Sequence, residues 1–125
     1  MTKYLLVLFG GGLGSILRFW VGGYISGKMG TRFPFGTFFI NCTASFLVGL
    51  IVTLLAEKTH WNPNLRYLIP IGFLGGYSTF SSFEYETFRV AQDGELRIAL
   101  LYVVLSVVVG FFAVWLGAIV GRLSA

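Results

Sequence analysis

Charge is what this sequence has least of. Only 11% of its 125 residues are Asp, Glu, Lys or Arg, where a soluble domain carries roughly 25%. A water-facing globule is a poor fit, and a lipid-facing chain a good one: 56% of the residues are hydrophobic and the mean hydropathy is +0.82. Cysteine is nearly absent too. The single Cys42 excludes a disulfide framework and, inside an apolar run, reads as a small packing residue. The one histidine, His60, lies in a loop with no nucleophile beside it and reads as solvated. Cys42 has no histidine in its run, and Glu84 and Glu86 lack the pattern of a metal site. No catalytic constellation is left, so the chain reads as a protein that is not an enzyme.

What is present is a set of long apolar runs. Phe33–Ala56 and Ile98–Gly121 are each 24 residues without a charge. Tyr4–Ser26 is 23 residues interrupted only by Arg18, and Tyr67–Phe83 is 17 uncharged residues leading into Glu84 and Glu86. A helix needs about 20 apolar residues to cross the hydrocarbon core. The expectation is therefore an all-α integral membrane protein: one domain over 1–125, with spans near 4–26, 34–56, 65–91 and 97–121. The first run is too long for a cleavable signal peptide and lacks a small-residue cleavage site. The net charge of +4 sits on cations that flank the runs, where anionic headgroups account for them and no nucleic acid is needed.

Charge leaves the orientation open. Lys3, Lys58, Arg66 and Arg122 fall on one side, and Lys28, Arg32, Arg89 and Arg97 on the other. Under the positive-inside rule this balance favours neither orientation. Either another signal fixes topology, or the chain inserts both ways and pairs head to tail with its inverted copy. The latter would supply, in two chains, the inverted symmetry many transporters carry in one.

Polar and small residues fall on stripes. Gly10, Gly14, Arg18 and Gly22 recur every fourth residue and share one helix face. Small residues let helix backbones approach closely in lipid, so Arg18 on that stripe faces protein. Its guanidinium is either an anchor for helix-end carbonyls or part of an anion path. In the second span, which opens at Pro34, Thr37, Asn41, Ser45 and Gly49 form another stripe. A mid-span asparagine is costly unless its amide is satisfied. Asn41 is either interhelical glue or a donor lining a pore. The fourth span carries Tyr102, Ser106 and Gly110 on one stripe, which then runs into Val114.

The third segment is the irregular one. Pro70, three glycines and four hydroxyl residues fall within Pro70–Ser82, 13 positions, poor support for a continuous helix. Serine and threonine can bond the backbone groups that a break releases. The expectation is an unwound turn over Gly75–Thr79 at mid-membrane depth, tolerated only where buried in protein or lining a polar cavity. Phe80 and Phe83 follow the break on one face, Glu86 continues that face, and Glu84 lies to one side. The run Gly10–Gly14 has some likeness to a phosphate loop but lacks the preceding strand and the lysine-serine ending. The polar inventory is rich in donors and poor in intramembrane carboxylates, which suits an anion or a neutral solute.

Three motifs in order resemble the Fluc fluoride channels, the CrcB family. They are Gly11-Gly12-Leu13-Gly14 with Arg18, then Pro34-Phe35-Gly36-Thr37 with Asn41, then Gly72-Phe73-Leu74-Gly75-Gly76 running into Ser78–Phe83 and Glu86. The resemblance covers essentially the whole chain. It implies a dual-topology antiparallel dimer with two pores, exporting fluoride passively from the cytoplasm through the inner membrane. It places Phe80 and Phe83 in an aromatic box whose ring edges face fluoride, and makes Asn41 an amide donor to the ion. It puts Thr37, Ser78, Thr79, Ser81 and Ser82 in or beside the path, Arg18 at the vestibule and Glu86 at the end of the polar path. It assigns the backbone carbonyls of Gly75 and Ser78, from both subunits, to a structural sodium ion at the dimer centre.

The fourth helix departs from the family. Further hydroxyls are usual one and two turns beyond Ser106, where this chain has Gly110 and Val114, so Tyr102 and Ser106 remain as remnants of that track. Either the other donors suffice or a paralogous subunit supplies the missing ones. A four-helix multidrug transporter needs an acidic residue in the first span, where this chain has Arg18 and no carboxylate. A non-transporting assembly subunit would leave the broken third span without purpose.

Overall fold

The computed structural model describes residues 1–30 and 32–125, and among these there is no strand. The helices are α1 (Thr2–Met29), α2 (Phe35–Glu57), a π-helix (Tyr67–Leu74), α3 (Gly75–Tyr77), α4 (Phe80–Gln92) and α5 (Leu96–Ser124). Three of them, α1, α2 and α5, are long and apolar enough to cross a membrane. Leu8, Ile16 and Trp20 of α1 and Val104, Phe111 and Trp115 of α5 face outward, while among the described residues no charged side chain is buried and the only buried hydroxyls are those of tyrosines. Apolar outside with so small a core is the pattern of a chain solvated by lipid. The protein is an all-α membrane protein with several spans.

Each long helix stops for a local reason. α1 closes on Gly30, whose backbone is left-handed (φ 57°) and whose N–H donates to the Ser26 carbonyl, a common glycine C-cap. Pro34 caps the start of α2, where its missing N–H costs nothing. The reversal from α4 into α5 takes three residues, Asp93–Glu95, with Gly94 at φ 85°.

Two seams hold the bundle together, and both are made by glycine. Along the first, α2 lies on α5: a Cβ on Gly49 would overlap the Val114 carbonyl, and one on Gly117 the Phe46 carbonyl. Along the second, α1 lies on the π-helix and α3. A Cβ on Gly10 would overlap the Leu68 carbonyl, one on Gly14 the Phe73 carbonyl, and one on Gly76 the Gly11 backbone. The core proper, Ile40, Ala44, Leu74 and Tyr77, lies where the two seams meet.

The third stretch differs from the expected form. Residues Gly75–Tyr77 are helical, and only Ser78 and Thr79 are extended, with ψ 160° and 124°. The irregularity expected of Pro70 appears upstream instead, as the π-helix. Its wider turn accommodates a residue with no N–H, and the Gly75 N–H is shared between the Gly72 and Pro70 carbonyls. Of the glycines counted as helix breakers, Gly72 and Gly76 serve close approach to α1. Gly76 fits against the Gly11 backbone because it has no side chain.

Candidate functional site

The two-residue break releases backbone groups, and several of them find side-chain partners. In a continuous helix the Thr79 N–H would donate to Gly75, Phe80 to Gly76 and Ser82 to Ser78. Instead the Thr79 N–H donates to Asn41 Oδ1 at 2.9 Å. Asn41 Nδ2 donates to the Thr79 carbonyl, also at 2.9 Å. The side chain of Asn41 thus replaces a strand neighbour, bonding one residue's N–H and C=O together. Thr79 Oγ1 caps α4 by accepting from the Ser82 N–H at 3.2 Å. Ser78 Oγ donates to the Leu74 carbonyl at 2.9 Å. Tyr77 Oη and Thr43 Oγ1, 2.9 Å apart, fasten the near side of the break to α2.

Arg18 takes the Gly76 carbonyl, its Nε donating at 3.1 Å. Of the two readings left open for it, the anchor is therefore observed. Its side chain also borders a cleft of about 290 Å³ with Thr37, Thr79, Ser82 and Glu86. Three carbonyls, those of Gly75, Tyr77 and Ser78, meet no donor among the described residues. Two of these, Gly75 and Ser78, are the pair expected to face a cation, and oxygen donors of this kind suit a hard cation.

Downstream, the aromatic residues form a graded cluster. Phe80 and Phe83 stand 5.9 Å apart between ring centroids and inclined at 57°. Phe83 is buried (7% exposed), but Phe80 projects from the surface at 73% exposed. Phe83 meets the ring of Tyr102 edge to face at 5.0 Å, and Phe33 meets the same ring at 5.3 Å. Tyr102 is wholly buried and its hydroxyl donates to Glu86 Oε1 at 3.3 Å. Thr37, Ser81, Ser82 and Glu86, with Tyr85, line a further cleft of about 490 Å³. Asn41, Ser45, Ser78, Thr79 and Phe80 line a third, of about 210 Å³.

Most of the residues singled out in the sequence thus converge on the two ends of the break. Ser106 does not: half-buried on α5, it lines none of these clefts. Val114 also has a plain explanation, since its carbonyl is the surface on which Gly49 of α2 rests. Thr43, Tyr77 and Phe33 are site-forming residues that sequence reasoning did not single out. Phe33 lies outside any helix, and only folding brings it over Tyr102.

Fold and clefts together define a multi-pass all-α membrane protein with a polar, half-enclosed track beside a helix break. The chain matches the family model described as CrcB-like protein, Camphor Resistance (CrcB), over residues 5–118. It is 51% identical over 120 residues to the fluoride-specific ion channel FluC of Acidobacterium capsulatum, covering 96% of each chain. It is 46% identical over 120 residues to that of Solibacter usitatus, covering 96% of this chain and 98% of the other. Against the Thermus thermophilus channel it is 44% identical over 117 residues, covering 94% and 93%. The chain belongs to the CrcB family.

Proposed function

We propose that this protein is a fluoride-selective channel, not an enzyme, which lets fluoride leave the cytoplasm passively across the inner membrane and so confers resistance to its toxicity. The observation that carries this reading is the clamp of Asn41 on Thr79, which holds Phe80 and Phe83 at the opening turn of α4 beside a polar cleft. An aromatic ring is positive at its edge, so the pair attracts a small anion without a full charge that would trap it. The N-terminus of α4 adds its dipole in the same sense. Arg18 draws anions toward the Thr37, Ser82 and Glu86 cleft, and Tyr102 on α5 supports Glu86 from behind through its hydroxyl. Chloride is larger and would be refused by a narrow path lined with fixed donors.

In this reading 65–91 completes a fourth span as two half-helices, and the working unit is two copies in inverted orientation. Four cations at each end favour neither orientation, and Phe80 projects from the single chain as though toward a partner. A sodium ion between the copies would be held by the Gly75 and Ser78 carbonyls, whose helical donors are diverted to Asn41 and Thr79. Such an ion would neutralise the carbonyl dipoles that the break leaves facing one another. Gly110 and Val114 leave open whether the second copy is identical or paralogous, and the balanced cations favour an identical one.

Purified protein reconstituted in liposomes is expected to release fluoride, followed with a fluoride-selective electrode, and to retain chloride. No fluoride release from a well-folded dimer would overturn the reading.

A further inference from the structure

On the α2 side of the break and within it, several polar side chains are already engaged. Both functional atoms of the Asn41 amide are bonded to Thr79. Thr43 Oγ1 bonds the Phe39 and Ile40 carbonyls and meets Tyr77. Ser78 bonds Leu74, and Thr79 Oγ1 caps Ser82. Ser45 is not, and neither are Ser81 and Ser82 on the α4 side of the break. Ser45 shares the cleft of about 210 Å³ with Asn41, Ser78, Thr79 and Phe80, yet its hydroxyl has no hydrogen-bond partner among the described residues. A serine in a helix ordinarily returns its proton to the carbonyl four residues back. Here that bond is not made, and the O–H is free to donate into the cleft.

The same hydroxyl oxygen of Ser45 also meets α5 at an unusual place. Tyr102, Ser106 and Gly110 follow one another at four-residue spacing, so the polar face of α5 ends at Gly110. A Cβ placed on Gly110 would lie 3.6 Å from Ser45 Oγ, ordinary contact with no atom between. The level at which α5 offers bare backbone is therefore the level at which α2 offers a free hydroxyl.

We propose that Ser45 is a fluoride-binding residue of the path, donating its O–H to the ion one helical turn beyond Asn41, in place of a side chain that α5 lacks at Gly110. The inference rests on the channel reading. It differs from the expected role of Asn41, whose amide is committed first to holding the break closed and has one N–H left over.

The test is fluoride efflux from liposomes with three proteins, each checked for its dimer by size-exclusion chromatography. Ser45→Ala is expected to lower the efflux rate about tenfold, the scale of losing a hydrogen bond to a charged group, with its elution unchanged. Adding Gly110→Ser is expected to restore at least half the rate, because the new hydroxyl enters the same level from the facing helix. Recovery of this kind would not arise if Ser45 merely packed. A wild type that conducts alongside an equally fast Ser45→Ala overturns this inference and leaves the channel reading standing. A slow Ser45→Ala that Gly110→Ser does not improve assigns Ser45 to packing and also overturns it. A silent wild type removes both readings together.

Discussion

The seam between α2 and α5 and the stretch from Tyr67 to Gln92 solve the same problem in opposite ways. Along the seam, both helices run unbroken and Gly49 and Gly117 let backbone lie on backbone. In the other stretch the helix widens at Pro70, stops at Tyr77 and resumes at Phe80. There Asn41, Thr79, Ser78 and Arg18 answer part of the exposed backbone, and the Gly75, Tyr77 and Ser78 carbonyls meet no donor among the described residues. An unbroken helix satisfies its own backbone and needs only shape to pack; a broken one in an apolar medium must import donors and acceptors. The difference explains why the polar residues of this chain cluster in one place. It also separates residues that hold the fold from residues free to meet a solute.

Four substitutions probe that separation, ordered by their effect on the fold. Gly14→Leu places a branched side chain where even a Cβ overlaps the Phe73 carbonyl. It is expected to abolish the monodisperse species on size exclusion, and a normal elution profile would mean that the α1 seam tolerates separation. Asn41→Ala removes both bonds to Thr79 and leaves an N–H and a C=O unanswered, at a cost of about 1–3 kcal/mol for each group. A thermal melt in detergent should fall by several degrees and fluoride efflux with it; an unchanged melt would show that the break does not need its clamp. Phe80→Ile touches no backbone bond and removes only a projecting ring. The expected result is efflux cut sharply with dimer elution and melting intact, and undiminished efflux would strip Phe80 of its role at the ion path. Arg32→Ala breaks the ion pair of Arg32 with Glu95, whose cation is exposed. Exposed pairs contribute about 0–1 kcal/mol, so neither melting nor efflux should change measurably.

The place of the break was legible because hydroxyl residues had accumulated beside it. Ser78, Thr79, Ser81 and Ser82 signal a backbone that needs local partners, and two of them do bond it. Its extent was not legible. Gly76 carries the same letter whether a helix unwinds or a neighbour approaches, and the position of Gly11 on another helix decides between them. Arg18 stood equally for an anchor or an anion path until the Gly76 carbonyl appeared within reach of its Nε. Tyr102 and Ser106, one turn apart on one stripe, looked alike in sequence, yet folding buries Tyr102 between Phe33 and Phe83 and leaves Ser106 outside the clefts.

By itself the sequence determined that this chain lives in lipid, and where its long apolar helices run. Run length, charge scarcity and four-residue stripes are local properties, and the bilayer imposes the same requirement on every segment. Tertiary structure alone decided which polar groups are spent and which are spare. That depends on pairs such as Asn41 with Thr79, 38 residues apart, and Ser45 with Gly110 on facing helices. A hydrogen bond is a relation between two positions in space, so no single position in the chain can announce whether its donor is already taken.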